Sequence, residues 1–156
     1  MTEKIQFIFN DGGRQEAGYK GKTGDCVTRA ISIVTGISYQ EVYNKLKNLN
    51  SEYAKKHRNK VAKKISLGRD GIAPRKGIYK EIYHDYLLSL GMKWHPTMKI
   101  GSGCKVHLNA QELPNGKLIV SVSKHLTAVI DGVINDTYDC SREGMRCVYG
   151  YYYFEK

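Results

Sequence analysis

From Cys26 onward, apolar residues recur at three- and four-residue spacing. Val27, Ala30, Ile31 and Val34 fall on one side of a helix, and Gly36 ends it. Before it, Ile5 to Phe9 is a short strand candidate, followed by a glycine-rich loop from Asp11 to Asp25 with five glycines. Ser38-Tyr39-Gln40-Glu41 has the form of a capping box, in which Ser and Glu side chains each satisfy a free amide at a helix start. It opens a second helix with Val42, Tyr43, Leu46 and Leu49 on one face. Residues 68–77 read as loop, and a third helix runs from Ile78 to Leu90 with Ile78, Ile82, Tyr86 and Leu90 in register and Gly91 as its stop. After a turn at Trp94-His95-Pro96 the pattern becomes that of strands, over 105–108, 117–123, 125–130, 133–137 and 147–154. Asp131-Gly132 between two β-branched runs is a two-residue hairpin signal, and Leu113-Pro114-Asn115-Gly116 is a second turn. Helices first and an antiparallel sheet second predict one α+β domain over residues 1–156, with no internal repeat.

The composition changes this picture little and the charge changes it more. With 156 residues, 41% hydrophobic and 26% charged, the chain is neither disordered nor collagen-like. No apolar run approaches the roughly 18 residues of a membrane span. The apolar strip near the N-terminus is too short for a secretory signal, so a cytoplasmic protein without membrane contact is expected. Four cysteines in such a setting are thiols, metal ligands or a nucleophile before they are a disulfide scaffold. The net charge is +10, and Lys45 to Lys80 holds twelve basic and two acidic residues, while the remainder holds thirteen of each sign. One segment therefore carries the whole excess. Its densest part contains Lys55, Lys56, Arg58, Lys60, Lys63 and Lys64, a patch suited to an acidic protein surface, a nucleotide or nucleic acid. It lacks the interleaved aromatics of a single-strand binder and the form of a helix-turn-helix or zinc finger.

Cys26 stands where the glycine loop enters the first helix, in Thr23-Gly24-Asp25-Cys26-Val27-Thr28-Arg29-Ala30. A thiol there meets unpaired amide donors and the positive end of the helix dipole, which favour the thiolate. Its own amide can face a developing oxyanion. An ordinary core cysteine has the same position, so a base decides. His57 lies in the basic run, His84 on the third helix, His95 in a turn, and His107 and His125 on strand candidates. With Asp131-Gly132 as the loop, Ile130 pairs with Val133, so His125 faces Tyr138 and Asp136 is its diagonal neighbour on the same face. An aspartate there holds the imidazole's orientation and leaves the other nitrogen for a thiol. Asn135 points to the opposite face.

The order Cys, then His on a strand, then Asp on its hairpin partner resembles the papain-like cysteine peptidase superfamily. More narrowly, Asp11-Gly12-Gly13-Arg14, Gly24-Asp25-Cys26-Val27-Thr28-Arg29-Ala30, His125-Leu126-Thr127-Ala128-Val129-Ile130-Asp131-Gly132 and Asp136-Thr137-Tyr138-Asp139 look like a group of small uncharacterised proteins of bacteriophages and mobile elements. The resemblance implies a papain-like fold, with Cys26 as nucleophile, His125 as base and Asp136 as its orienter. It also implies a host-cell cytoplasm as the site of action if the protein is phage-encoded. The superfamily expects a glutamine a short distance before the nucleophile to stabilise the oxyanion. Tyr19 and Lys20 stand there instead, which leaves Gln15, Asn10 or backbone amides as candidates.

The expected activity is that of a thiol-dependent hydrolase or acyl transferase on an amide, isopeptide or thioester bond, without cofactor or metal. A protein or acidic peptide is the expected substrate, and the basic segment 45–80 the expected lid or exosite. The alternatives are a catalytically inactive binding module that uses the basic segment, and an inhibitor of a host enzyme. Cys104, His107, Cys140 and Cys147 offer a rival zinc set, and a Cys140–Cys147 disulfide is a weaker variant. The tyrosine-rich tail, Cys147 to Phe154, offers base stacking but reads first as a packed terminal strand.

Overall fold

The computed structural model describes residues 6–18, 25–67, 78–99, 101 and 103–154. The elements follow the order β1 (Gln6–Phe9), α1 (Cys26–Thr35), α2 (Tyr39–Lys56), α3 (Lys60–Leu67), α4 (Lys80–Ser89), β2 (Met92–Pro96), β3 (Lys117–Val122), β4 (His125–Ile130), β5 (Val133–Asp136) and β6 (Gly150–Phe154). This is an α+β chain with a single six-stranded mixed sheet in the order β1-β5-β4-β3-β6-β2. β1 runs parallel to β5, and every other pair is antiparallel.

The helices form where the apolar spacing places them. α1 buries Val27, Ala30, Ile31 and Val34, and Gly36 closes it in the left-handed conformation with its N–H on Ser32 O. Ser38 Oγ accepts from Glu41 N–H at 3.2 Å and starts α2, whose Val42 and Leu46 are fully buried. Tyr43 and Leu49 are half-buried. α1 and α4 cover one face of the sheet, against Ile119, Leu126, Ala128, Tyr152 and Met92, and α2 packs against these two helices in the same core. The opposite face buries Leu118, Val120, Val122, Val129 and Ile134 under Leu108, Leu113, Cys140 and Val148, which lie outside the strands. The sheet is thus dry on both faces through its centre, and this holds its strand ends at fixed positions.

Several sequence expectations are corrected. The basic segment contains a helix that the apolar spacing does not predict, because α2 runs on to Lys56 and α3 follows after three residues, capped by Asn59 Oδ1 accepting from Ala62 N–H at 2.9 Å. Ala62 and Ile65 bury one side of α3 while its lysines face water. His95 is not in a turn. Trp94-His95-Pro96 belongs to β2, an edge strand paired with β6, where a proline without a donor is tolerated. Gly150 explains the pairing, since a Cβ there would collide with the Trp94 indole and stand 2.9 Å from His95 O. The strand expected over 105–108 reduces to one bridge, His107 with Cys147, and β6 starts at Gly150 rather than Cys147. Cys104 and Cys147 form a disulfide beside that bridge, with Cα atoms 5.8 Å apart. The four-residue zinc set is therefore not assembled: two members are bonded, His107 Nδ1 lies 3.1 Å from Glu112 Oε1, and Cys140 packs elsewhere. The loop expected over 68–77, and Tyr19 and Lys20, lie outside the described residues.

Candidate active site

The β4–β5 hairpin has the register its turn residues dictate. Ile130 pairs with Val133 and Ala128 with Asn135, and Asp131 and Gly132 both take positive φ, 48° and 78°. That register puts Asp136 diagonal to His125, and Nε2 of His125 lies 2.7 Å from Asp136 Oδ2. The carboxylate is held on every side. Thr127 Oγ1 donates to Oδ2 at 2.7 Å, the Thr137 N–H donates to Oδ1 at 2.7 Å, and Arg29 Nη2 stands 3.5 Å from Oδ1. Burial acts to raise the Asp136 pKa, but the hydrogen bond and charge of His125, followed by the Thr127 hydroxyl and the Thr137 amide, hold it below its ordinary range. Asn135, on the other face as expected, accepts from Asn10 Nδ2 at 3.3 Å.

Cys26 is the first residue of α1 and shares a cleft with His125, close enough for the imidazole to act on its acidity. Since Nε2 is occupied by Asp136, Nδ1 is the nitrogen left for the thiol. Burial acts to raise the thiol pKa. The hydrogen bond and charge of His125, the Leu126 amide and the Arg29 charge outweigh it, and the net shift is downward. His125 moves the opposite way. Burial opposes its charge, but Asp136, Cys140 and Cys26 together push it well above the ordinary histidine range. A lowered thiol beside a raised imidazole is the signature of a thiolate–imidazolium pair.

Beneath the pair lies a buried ionic network the sequence does not announce. Asp25, with no exposure at all, takes Arg29 in an i,i+4 ion pair and Arg14 Nε at 2.9 Å, and accepts from Tyr39 Oη at 2.5 Å. Arg29 thereby links Asp25, next to the thiol, to Asp136, next to the base. Asp25 makes no side-chain cap on α1, so the amides of the first turn are not taken up by its carboxylate. Comparison with protein-family models, with curated proteins and with solved structures returns no match to this chain. The site stands on its own geometry.

Cys26 and His125 line a cleft of about 680 Å³, walled by Val27, Ile78, Tyr79, Tyr83, Leu126 and Tyr138. Neither side-chain oxyanion candidate lines it. Asn10 is engaged with Asn135 and with the Gly12 N–H, and Gln15 is exposed on the turn that Asp11 closes. The backbone amide of Cys26 remains as the candidate donor. Lys55, Lys56, Arg58, Lys60, Lys63 and Lys64 are all exposed, on the end of α2, the link after it and α3, and none lines the cleft. Missed from the sequence were Thr127, Cys140 and the charge network. The Asp25-Arg29 spacing was the one available signal. No helix among the described residues is long and apolar enough to cross a membrane.

Proposed function

We propose that this chain is a thiol-dependent hydrolase or acyl transferase of papain-like type, acting on an amide, isopeptide or thioester bond. The observation that carries the reading is the continuous chain from Cys26 through His125 to Asp136, with the imidazole seated 2.7 Å from the carboxylate and a thiol shifted toward its anion. The Cys26 thiolate attacks the carbonyl carbon, forming a C–S bond while the carbonyl electrons move to oxygen. The His125 imidazolium gives its proton to the leaving nitrogen or sulfur as that bond breaks, which yields an acyl-thioester. Water or an amine then attacks the thioester, His125 takes its proton, and the thiolate leaves. Asp136 keeps the imidazole oriented and its charge favourable throughout.

The test uses p-nitrophenyl acetate as a generic acyl donor. A burst of nitrophenolate equal to the enzyme concentration, with the acetyl group found on the Cys26 peptide, is expected. Its loss in Cys26→Ala with the far-ultraviolet circular dichroism unchanged completes the result. Acetylation spread over lysines with no burst would contradict the reading.

One observation favours a second reading, a binding module. Six cations are exposed together around α3, and no described residue forms an ion pair with any of them. Such a module binds a polyanion with steep salt dependence that survives loss of Cys26. Replacing Lys55, Lys56, Lys63 and Lys64 by glutamine flattens that slope, and an unchanged slope rejects it.

A further inference from the structure

The cleft beside Cys26 is electrically one-sided. Arg29, Lys80 and Lys124 line it, and no carboxylate does so among the described residues. Arg29 is committed to Asp25 and Asp136. Among the described residues, neither Lys80 nor Lys124 forms an ion pair with an acid. Lys80 Nζ rests 4.9 Å from the centre of the Trp94 ring, and Lys124 is exposed with no ion-pair partner among the described residues. The acid nearest in sequence to Lys80, Glu81, lines a separate groove shared with Lys45 and Tyr53.

Lys124 also sits in an unusual backbone conformation. It occupies the two-residue turn between β3 and β4, with φ of 56°, where glycine or asparagine fits without strain. The turn thus sets a cation on the wall of the cleft, one residue before the imidazole. Both lysines stand at the exposed rim of the cleft, where their charge acts on a ligand through water and is screened by salt.

Resting on the thiol-chemistry reading, we infer that the cleft selects acyl donors carrying a carboxylate within a residue of the attacked carbonyl, as in a peptide with glutamate or aspartate at that place. Lys124 and Lys80 receive that carboxylate. The thiolate and the imidazolium cancel each other, so the two lysines set the sign of the cleft.

A matched pair of electrophiles tests this: chloroacetyl-glutamate amide and chloroacetyl-glutamine amide, alike in shape and different in charge. In each, the Cys26 thiolate attacks the chloromethyl carbon, the C–S bond forms and chloride departs. Rates are read on the Cys26 peptide by mass spectrometry, with N-acetylcysteine as the reference thiol. The glutamate-to-glutamine rate ratio is expected to exceed the reference ratio by about three- to tenfold at low ionic strength, and to shrink in about 0.5 M salt. Lys124→Gln and Lys80→Gln each lower the ratio. Lys47→Gln, exposed on α2 and outside the cleft, removes the same net charge and leaves the ratio high. If both reagents label Cys26 quickly with a ratio equal to the reference, the selectivity is overturned and the thiol chemistry stands. If neither labels Cys26 faster than N-acetylcysteine, the thiol chemistry itself fails and the selectivity goes with it.

Discussion

The acidity of Cys26 depends on groups from two separate stretches of chain: the hairpin that carries His125, Leu126 and Asp136, and its own helix, which carries Arg29. Removing the orienting carboxylate should therefore be felt at the thiol. Asp136→Asn keeps the shape but loses the charge, and acetyl-enzyme formation from p-nitrophenyl acetate should slow by on the order of a hundredfold. The same carboxylate shapes stability. Its pKa is lowered in the folded chain, so its contribution is present above about pH 4 and is lost as pH falls through the lowered value. Denaturant unfolding between about pH 5 and 2 should accordingly show a steeper loss for the wild type than for Asp136→Asn. Arg29→Ala strands a fully buried Asp25 with fewer partners, and chemical denaturation should report a loss of about 3–5 kcal/mol. Cys26, His125 and Asp136 were legible in the sequence because a helix start and one two-residue turn fix them locally. The link from Arg29 to Asp136 spans 107 positions and belongs to tertiary packing, so no local pattern could reveal it.

Among the elements, the ones with a strong period and a clear stop were readable: α1 to Gly36, α2 from Ser38, and the hairpin around Asp131-Gly132. α3 was hidden because a lysine-rich run looks like a solvated link, although lysine is a good helix former and Ala62 and Ile65 supply a small buried face. β2 was hidden by Pro96, which an edge strand accepts at its end. The close contact of Trp94 with Gly150 is what binds that edge, so Gly150→Ala should cost about 1–3 kcal/mol, measured as a lowered Tm. The Cys104–Cys147 disulfide closes 43 residues of chain, and a loop-closure argument gives it up to about 4 kcal/mol. Cys104→Ser should lower Tm by a corresponding step, and a reductant should do the same to the wild type. Its pairing was not readable, since four cysteines allow three connectivities before any fold is known.

For the whole molecule, the sequence conveyed the class but not the assembly. A parallel β1 on the far edge of β5, and a sheet covered by helices on one face and by loop residues on the other, arise from long-range packing. That double cover is what lets a helix start and a strand start meet in one place, with the basic α2–α3 surface standing apart from the cleft. The central claim is that this meeting makes Cys26 and His125 one proton-sharing pair. The pH dependence of Cys26 alkylation by iodoacetamide, in wild type and in His125→Ala, tests it most directly. Labelling of the wild type should already be fast near neutral pH, because the folded thiol pKa is lowered, and the midpoint should move to higher pH in His125→Ala. A wild-type midpoint at the ordinary thiol value, unmoved by loss of His125, would contradict the account.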